Sequence, residues 1–244
     1  ELLQKQLVVS LQQEDNGKSM DQLLILRAVS NGKGKKRFVE TWKLGALVNI
    51  LDVTDIHGEF YTDGDFGGLY WSKDEQKAVY IAEQKELDDS DDRKFDYIQS
   101  YGERFSNKCI PLIVVFNVST NEAKVLPKFD KIDPGQVQFG SEDKSLILIG
   151  YYNEPRRFGI AACINRVTGI YQCQLDGSNL EHLSNYVEHA RSRLNLSGNS
   201  LSNFSSRKNC LIVPIVRFPS LSFHNNFPGI YRENIPLKAF ITID

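Results

Sequence analysis

The chain has 244 residues, of which 41% are hydrophobic, 25% charged and 11% aromatic, and its formal net charge is -2. That is enough chain to bury a core as one all-β domain or two small ones. The near balance of charge supplies no field for nucleic acid, whose phosphates need clustered Lys and Arg, and no stretch nears the ~20 apolar residues of a membrane helix.

The N-terminal "ELLQKQLVVS" has neither a basic n-region nor a small-residue cleavage site, so a cytoplasmic location is expected. In that compartment the four cysteines, Cys109, Cys163, Cys173 and Cys210, none of them in a C-x-x-C pair, read as reduced and buried thiols. The sequons at Asn117, Asn195 and Asn203 would matter only in a secreted protein.

The first strand-like segments are "DQLLILRAV", residues 21–29, and "RFVETWKLGALVNILDV", residues 37–53, separated by a basic turn from Lys33 to Arg37 that reads as a solvated loop. Next comes "FGGLYWSKDEQKAVYIAEQK", residues 66–85, in which a charged turn from Lys73 to Lys77 leads into five apolar residues, Ala78 to Ala82. This pattern recurs. Residues 71–81 overlie residues 139–149 without gaps, aromatic on aromatic, acidic on acidic and apolar on apolar, and residues 204–213 repeat it more loosely. A second element also repeats, "VSTNEAKVL" (118–126) over "LDGSNLEHL" (175–183), each after a strand-like run. Two hairpins in series make a four-stranded antiparallel unit, and residues 21–53 read as a degraded copy of the same pair.

Strands apolar on both faces need cover on both faces. Parallel α/β sheets obtain it from crossover helices, but the segments between these runs, such as "YYNEPRRFGIAACINRVTG", carry Pro, Gly and β-branched residues instead. In a β-propeller each blade packs between two others, so its inner strands are buried on both sides with no helical layer. The expected fold is therefore all-β, a partial β-propeller of about three to four four-stranded antiparallel blades, roughly 20–56, 66–127, 136–184 and 194–244, as one domain over 1–244. Two segments interrupt it. Residues 85–108 open on an acidic run from Glu86 and read as a solvated excursion with a short helix near 95–101. Residues 181–196 place Leu183, Val187, Ala190 and Leu194 on one helical face, as in a connecting helix.

No catalytic motif is present. The nearest string to a G-x-S-x-G nucleophile elbow, Gly198 to Ser202, lacks the second glycine, and the four histidines, His57, His182, His189 and His224, lie in loop-like or surface sequence. Gly32-Lys33-Gly34-Lys35-Lys36 lacks the spacing and the Ser/Thr of a phosphate loop. There is no H-E-x-x-H, and the acidic run near Asp88 lacks the ligand spacing of a calcium loop, so no metal and no cofactor is expected.

The order of several segments carries a resemblance. "HGEFYTDGDFGGLYWSKDEQKAVYIAEQK" (57–85), "KFDYIQSYGERFSNKCIPLIVVFNV" (94–118), "DPGQVQFG" (133–140), "GYYNEPRRFGIAACINR" (150–166) and "RFPSLSFHN" (217–225) closely resemble the N-terminal propeller of the acylaminoacyl-peptidases, serine exopeptidases of the prolyl oligopeptidase family. The resemblance spans about residues 38–225. It implies a cytosolic enzyme that releases the N-acylated first residue from short blocked peptides, its seven-bladed propeller capping a C-terminal α/β-hydrolase domain that has no counterpart in this chain. It also implies that "NNFPGIYRENIPL" (225–237) follows a skipped strand pair, which leaves the ring unclosed.

The partners implied are that hydrolase domain and short N-acylated peptides, with homo-oligomerisation left open. The alternative is a stand-alone propeller serving as an interaction scaffold, although the dipeptide of WD repeats is missing: Trp42 precedes Lys43 and Trp71 precedes Ser72. The loop singled out for contact with peptide or partner domain is Tyr151, Tyr152, Glu154, Arg156 and Arg157. Its structural alternative is a Glu154–Arg157 ion pair tying one hairpin to the next blade.

Overall fold

The apolar run at residues 78–82 lies in a strand whose alternate residues enter two different cores. The computed structural model describes residues 4–9, 22–30, 34–86, 92–97, 99–102, 105–157, 159, 167–183, 210–214 and 238–242. The first sheet is an antiparallel meander of β1 (Gln4–Val9), β2 (Gln22–Ser30), β3 (Lys35–Lys43) and β4 (Ala46–Asp52). The second is β5 (Leu69–Trp71), β6 (Lys77–Glu83), β7 (Pro111–Asn117) and β8 (Glu122–Val125), in that order. The third is β9 (Ile132–Phe139), β10 (Ser145–Tyr152), β11 (Thr168–Gln174) and β12 (Glu181–His182), likewise a meander. Two further strands, β13 (Cys210–Pro214) and β14 (Lys238–Thr242), pair with each other.

The fold is all-β, and each meander has the strand order of a propeller blade. Ala78, Tyr80 and Ala82 of β6 join a core with Leu24, Leu26 and Val39 of the first sheet. Val79 and Ile81, pointing the opposite way, join a core with Val137, Leu148 and Ile149 of the third. Strand β7 divides similarly, Val114 and Phe116 to one side and Ile113 to the other. The second sheet is therefore sandwiched between the first and the third, and burial of Val79 and Ile81 contributes about 2 kcal/mol each. No helical layer takes part among the described residues.

The repeated hairpins occupy equivalent places. Ser72 and Asp74 close the β5–β6 turn, with Glu75 in the left-handed region at φ 57°. Glu142 and Asp143 do the same for β9–β10 at φ 56° each. The two turns touch, since the Lys73 amide donates to Asp143 Oδ2 at 2.6 Å.

Three local features differ from the sequence reading. The first sheet takes its fourth strand, β1, from residues ahead of the two expected hairpins. Among the described residues of 95–101 the expected helix is reduced to the end of a 3-10 turn, Asp92–Phe95, and Phe95 and Tyr97 are exposed rather than buried on a shared helical face. The same excursion is not wholly solvated, because Tyr101 and Phe105 are buried in the core shared by the second and third sheets. As for the segment 181–196, Glu181–His182 is strand and residues 184–196 lie outside the described residues.

Candidate functional site

Strand β5 is only the end of the second sheet's inner edge. Upstream, the Gly58 amide donates to Glu83 O, the Tyr61 amide to Ile81 O and the Glu83 amide to Glu59 O, with Phe60 bridged to Ala82. Residues 58–61 thus run beside the far half of β6, and residues 62–68 bulge out between the two pieces. Gly67 is required there: an added Cβ would stand 2.5 Å from Asp63 O and 2.7 Å from Tyr61 O. Asp63 fixes the bulge from within, its Oδ1 accepting the amides of Asp65 and Phe66 at 2.9 Å each.

The bulge drives Phe66 into a ring cluster of Tyr61, Tyr101, Phe105 and Tyr151. Strand β9 receives it. The Gln136 amide donates to Phe66 O at 2.9 Å, and its side-chain amide donates to Gly64 O at 2.8 Å and Asp65 O at 3.1 Å. Gln136 sits at φ 47°, a left-handed conformation a non-glycine residue adopts only when its surroundings impose it.

Next to this lies a buried polar cluster around Asp133, 1% exposed. Its carboxylate accepts Tyr101 Oη at 2.5 Å, Arg157 Nε at 2.6 Å and Nη2 at 3.3 Å, and Asn153 Nδ2 at 3.2 Å. The Arg157 backbone amide also donates to Gln99 Oε1 at 3.0 Å, and its Nη1 donates to Gln99 O at 3.4 Å. Burial works against the guanidinium charge, yet the Asp133 hydrogen bond and charge outweigh it and hold Arg157 protonated above its ordinary range.

The five residues singled out from the sequence thus have different surroundings. Tyr151 is buried at the end of β10 and donates to Asp65 O at 2.5 Å. Arg157 is part-buried against Asp133, so the ion pair expected between Glu154 and Arg157 is made by Asp133 instead, 24 residues away. Tyr152 is half-buried, its hydroxyl 3.5 Å from Glu154 Oε2, and Glu154 and Arg156 are exposed. Of the five, Glu154 and Arg156 are exposed at this rim, while Tyr152 packs partly against the core.

Sequence reading missed Asp63, Tyr101, Asp133 and Gln136 as members of this constellation. Each stands inside one of the segments quoted above, and that shared membership is the signal that points to them.

His57 lies in loop, as its sequence suggests, but is buried rather than on the surface, being 0% exposed. Its Nδ1 lies 2.8 Å from Gly58 O and its Nε2 2.9 Å from Tyr80 Oη, so the ring donates at one nitrogen and accepts the tyrosine hydroxyl at the other. Burial lowers its pKa to about 4 and keeps it neutral. The imidazole is committed to joining residues 57–58 to β6. Glu83 has a similar task, accepting the amides of Cys109 and Ile110 at 2.7 Å each and the Tyr61 hydroxyl at 2.6 Å. The thiol of Cys109 is pushed up by burial and then by Glu83, and that of Cys173 is pushed up by burial to about 12; both remain protonated at neutral pH.

The family model of the acylamino-acid-releasing enzyme N-terminal domain matches residues 15–209. Human acylamino-acid-releasing enzyme is 28% identical over 192 residues, covering 66% of this chain and 26% of that protein. Acylamino-acid-releasing enzyme 1 of Oryza sativa subsp. japonica is 28% identical over 177 residues, 61% of this chain and 23% of its own length. This chain therefore spans about a quarter of the length of those relatives. Among solved structures, Pyrococcus horikoshii acylaminoacyl peptidase aligns over 66% of this chain and 23% of its own, at 11% identity and a TM-score of 0.40.

Proposed function

This chain belongs to the acylamino-acid-releasing enzyme N-terminal domain family, and from that premise we propose that it acts as a non-catalytic cap, admitting short N-acylated peptides to a partner α/β-hydrolase domain in the cytoplasm. The observation that carries the reading is the destination of the family's segments. Residues 61–68, 99–102, 105–110, 133–136 and 151–157 converge on one seam between two stacked sheets, where several of their charged and polar groups bond to one another. A rigid stack of this kind suits a size filter. A folded protein must unfold to pass it, at a cost of ~5–15 kcal/mol, whereas a short flexible peptide has no such barrier. A cap also keeps bulk water from the reacting bonds, which strengthens the fields that stabilise a transition state.

The test is co-expression with the hydrolase domain of a curated relative. The reading expects the two to co-purify and the complex to prefer short acetylated peptides over long ones more strongly than the hydrolase domain alone. Equal activity and equal length preference with and without this chain would count against it.

A second reading, an interaction scaffold, rests on a different observation. Leu44, Leu47, Val48 and Ile50 around β4 are 77%, 47%, 53% and 50% exposed, an apolar rim of the kind partners cover. Affinity capture with Leu47→Lys/Ile50→Lys as control separates the two: a partner lost in the control and unrelated to a hydrolase favours the scaffold.

A further inference from the structure

The ammonium of Lys108 stands among three aromatic rings. It lies 4.4 Å from the ring centroid of Phe105, 4.7 Å from that of Tyr61 and 5.7 Å from that of Phe66, and it pairs with Asp63 Oδ2. These walls come from three places in the chain: the split inner edge of the second sheet, the 62–68 bulge and the end of the acidic excursion. The side chains of Lys108 and Asp63 are 12% and 20% exposed, so the pair is largely withdrawn from water.

The carboxylate is fixed before any cation arrives, because Asp63 Oδ1 is engaged by the amides of Asp65 and Phe66, leaving Oδ2 for the ammonium. Phe66 is locked by its ring partners and by Gln136. The lysine backbone is held on both sides, its amide donating to Phe105 O at 2.9 Å and its carbonyl accepting the Tyr101 amide at 3.0 Å. A preorganised carboxylate beside the faces of several rings is a receptor for an alkylammonium ion.

We propose that Asp63, Tyr61, Phe66 and Phe105 form an alkylammonium-binding site whose resident ligand is the chain's own Lys108. Occupancy fastens the end of the excursion to the seam between the second and third sheets. Because the ligand is tethered, its effective concentration is in the millimolar range or above, and a free amine at similar concentration does not displace it.

The experiment is chemical rescue in the full chain. Lys108→Ala lowers the melting temperature by about 5–10 °C, the loss expected for a desolvated cation–aromatic contact and an ion pair together. n-Propylammonium, which matches the three carbons and the ammonium that the substitution removes, restores about half of that shift at tens of millimolar, while 1-propanol, of similar shape without the charge, does not. The wild type, and Lys108→Ala combined with Asp63→Asn, gain nothing beyond the effect of equal ionic strength. Should Lys108→Ala be recovered only as aggregate, refolding yield with and without the amine reads the same property. Equal rescue by amine and alcohol, or none by either, overturns the proposal.

Discussion

Arg157→Ala discriminates a seam residue from a contact residue, and its magnitude follows from the geometry of Asp133. That carboxylate is 1% exposed and accepts four hydrogen bonds, two of them from the guanidinium. Truncation leaves a buried negative charge with two neutral donors, the Tyr101 hydroxyl and the Asn153 amide. Removing one partner of a buried pair costs ~3–5 kcal/mol. The Arg157 side chain is 14% exposed, so water reaches part of the vacated space and the lower end, about 3 kcal/mol, is expected. For a chain of this size that is a drop of roughly 6–12 °C in melting temperature. The assay is thermal unfolding of wild type, Arg157→Ala, Asp133→Asn and the double variant. The single losses should exceed additivity, with a coupling of ~1.5 kcal/mol or more, because the double variant carries no unpaired buried charge. A melting temperature within about 2 °C of wild type for Arg157→Ala, or additive losses, would refute the reasoning and return Arg157 to the exposed rim.

Three further outcomes are expected. His57 is neutral when folded, with a pKa of about 4 against 6.5 unfolded, so the unfolded state binds the proton first as pH falls. Its contribution is complete above pH 6.5 and is lost between pH 6.5 and about 4, by about 3 kcal/mol at up to ~1.4 kcal/mol per pH unit; chemical denaturation across that range should show a slope that His57→Gln flattens. Gly67→Ala brings a Cβ against the carbonyls of Asp63 and Tyr61 and should cost more than ~2 kcal/mol, whereas alanine at Gly45, with open space around its Cβ, costs only the ~1 kcal/mol of its positive φ. Ile81→Ala, buried in the core facing the third sheet, should cost ~2–5 kcal/mol by denaturant titration, while Ile50→Ala on the exposed rim should cost less than ~1 kcal/mol.

The blade units were legible in the sequence because their signals are local and repeated. The turn at Lys73 to Gln76 and its counterpart at Ser141 to Lys144 combine acidic turn formers with apolar runs, and both became hairpins between the strands those runs predict. Burial on both faces was legible too, since Ala78 to Ala82 contains no polar residue for a solvated side. The split inner strand was not. Residues 62–68 have the Gly and Asp content of an ordinary loop, and nothing local reveals that residues 58–61 pair with β6. The helix expected near 95–101 failed because a few apolar residues near a charged run do not make a stripe, and Tyr101 instead found a long-range partner in Asp133. In the candidate loop the acidic partner of Arg157 was misassigned for the same reason. Glu154 is close in sequence, but the carboxylate brought beside the guanidinium belongs to another strand.

Assigned nuclear Overhauser contacts from the methyl groups of β6 test the stacked-sheet architecture most directly. The account predicts that Ala78 and Ala82 see Leu24, Leu26 and Val39 of the first sheet, while Val79 and Ile81 see Val137 and Ile149 of the third. If all four methyl-bearing residues report one shared set of neighbours, or either set shows no contact to the neighbouring sheet, the second sheet is not held between the other two and the account is wrong.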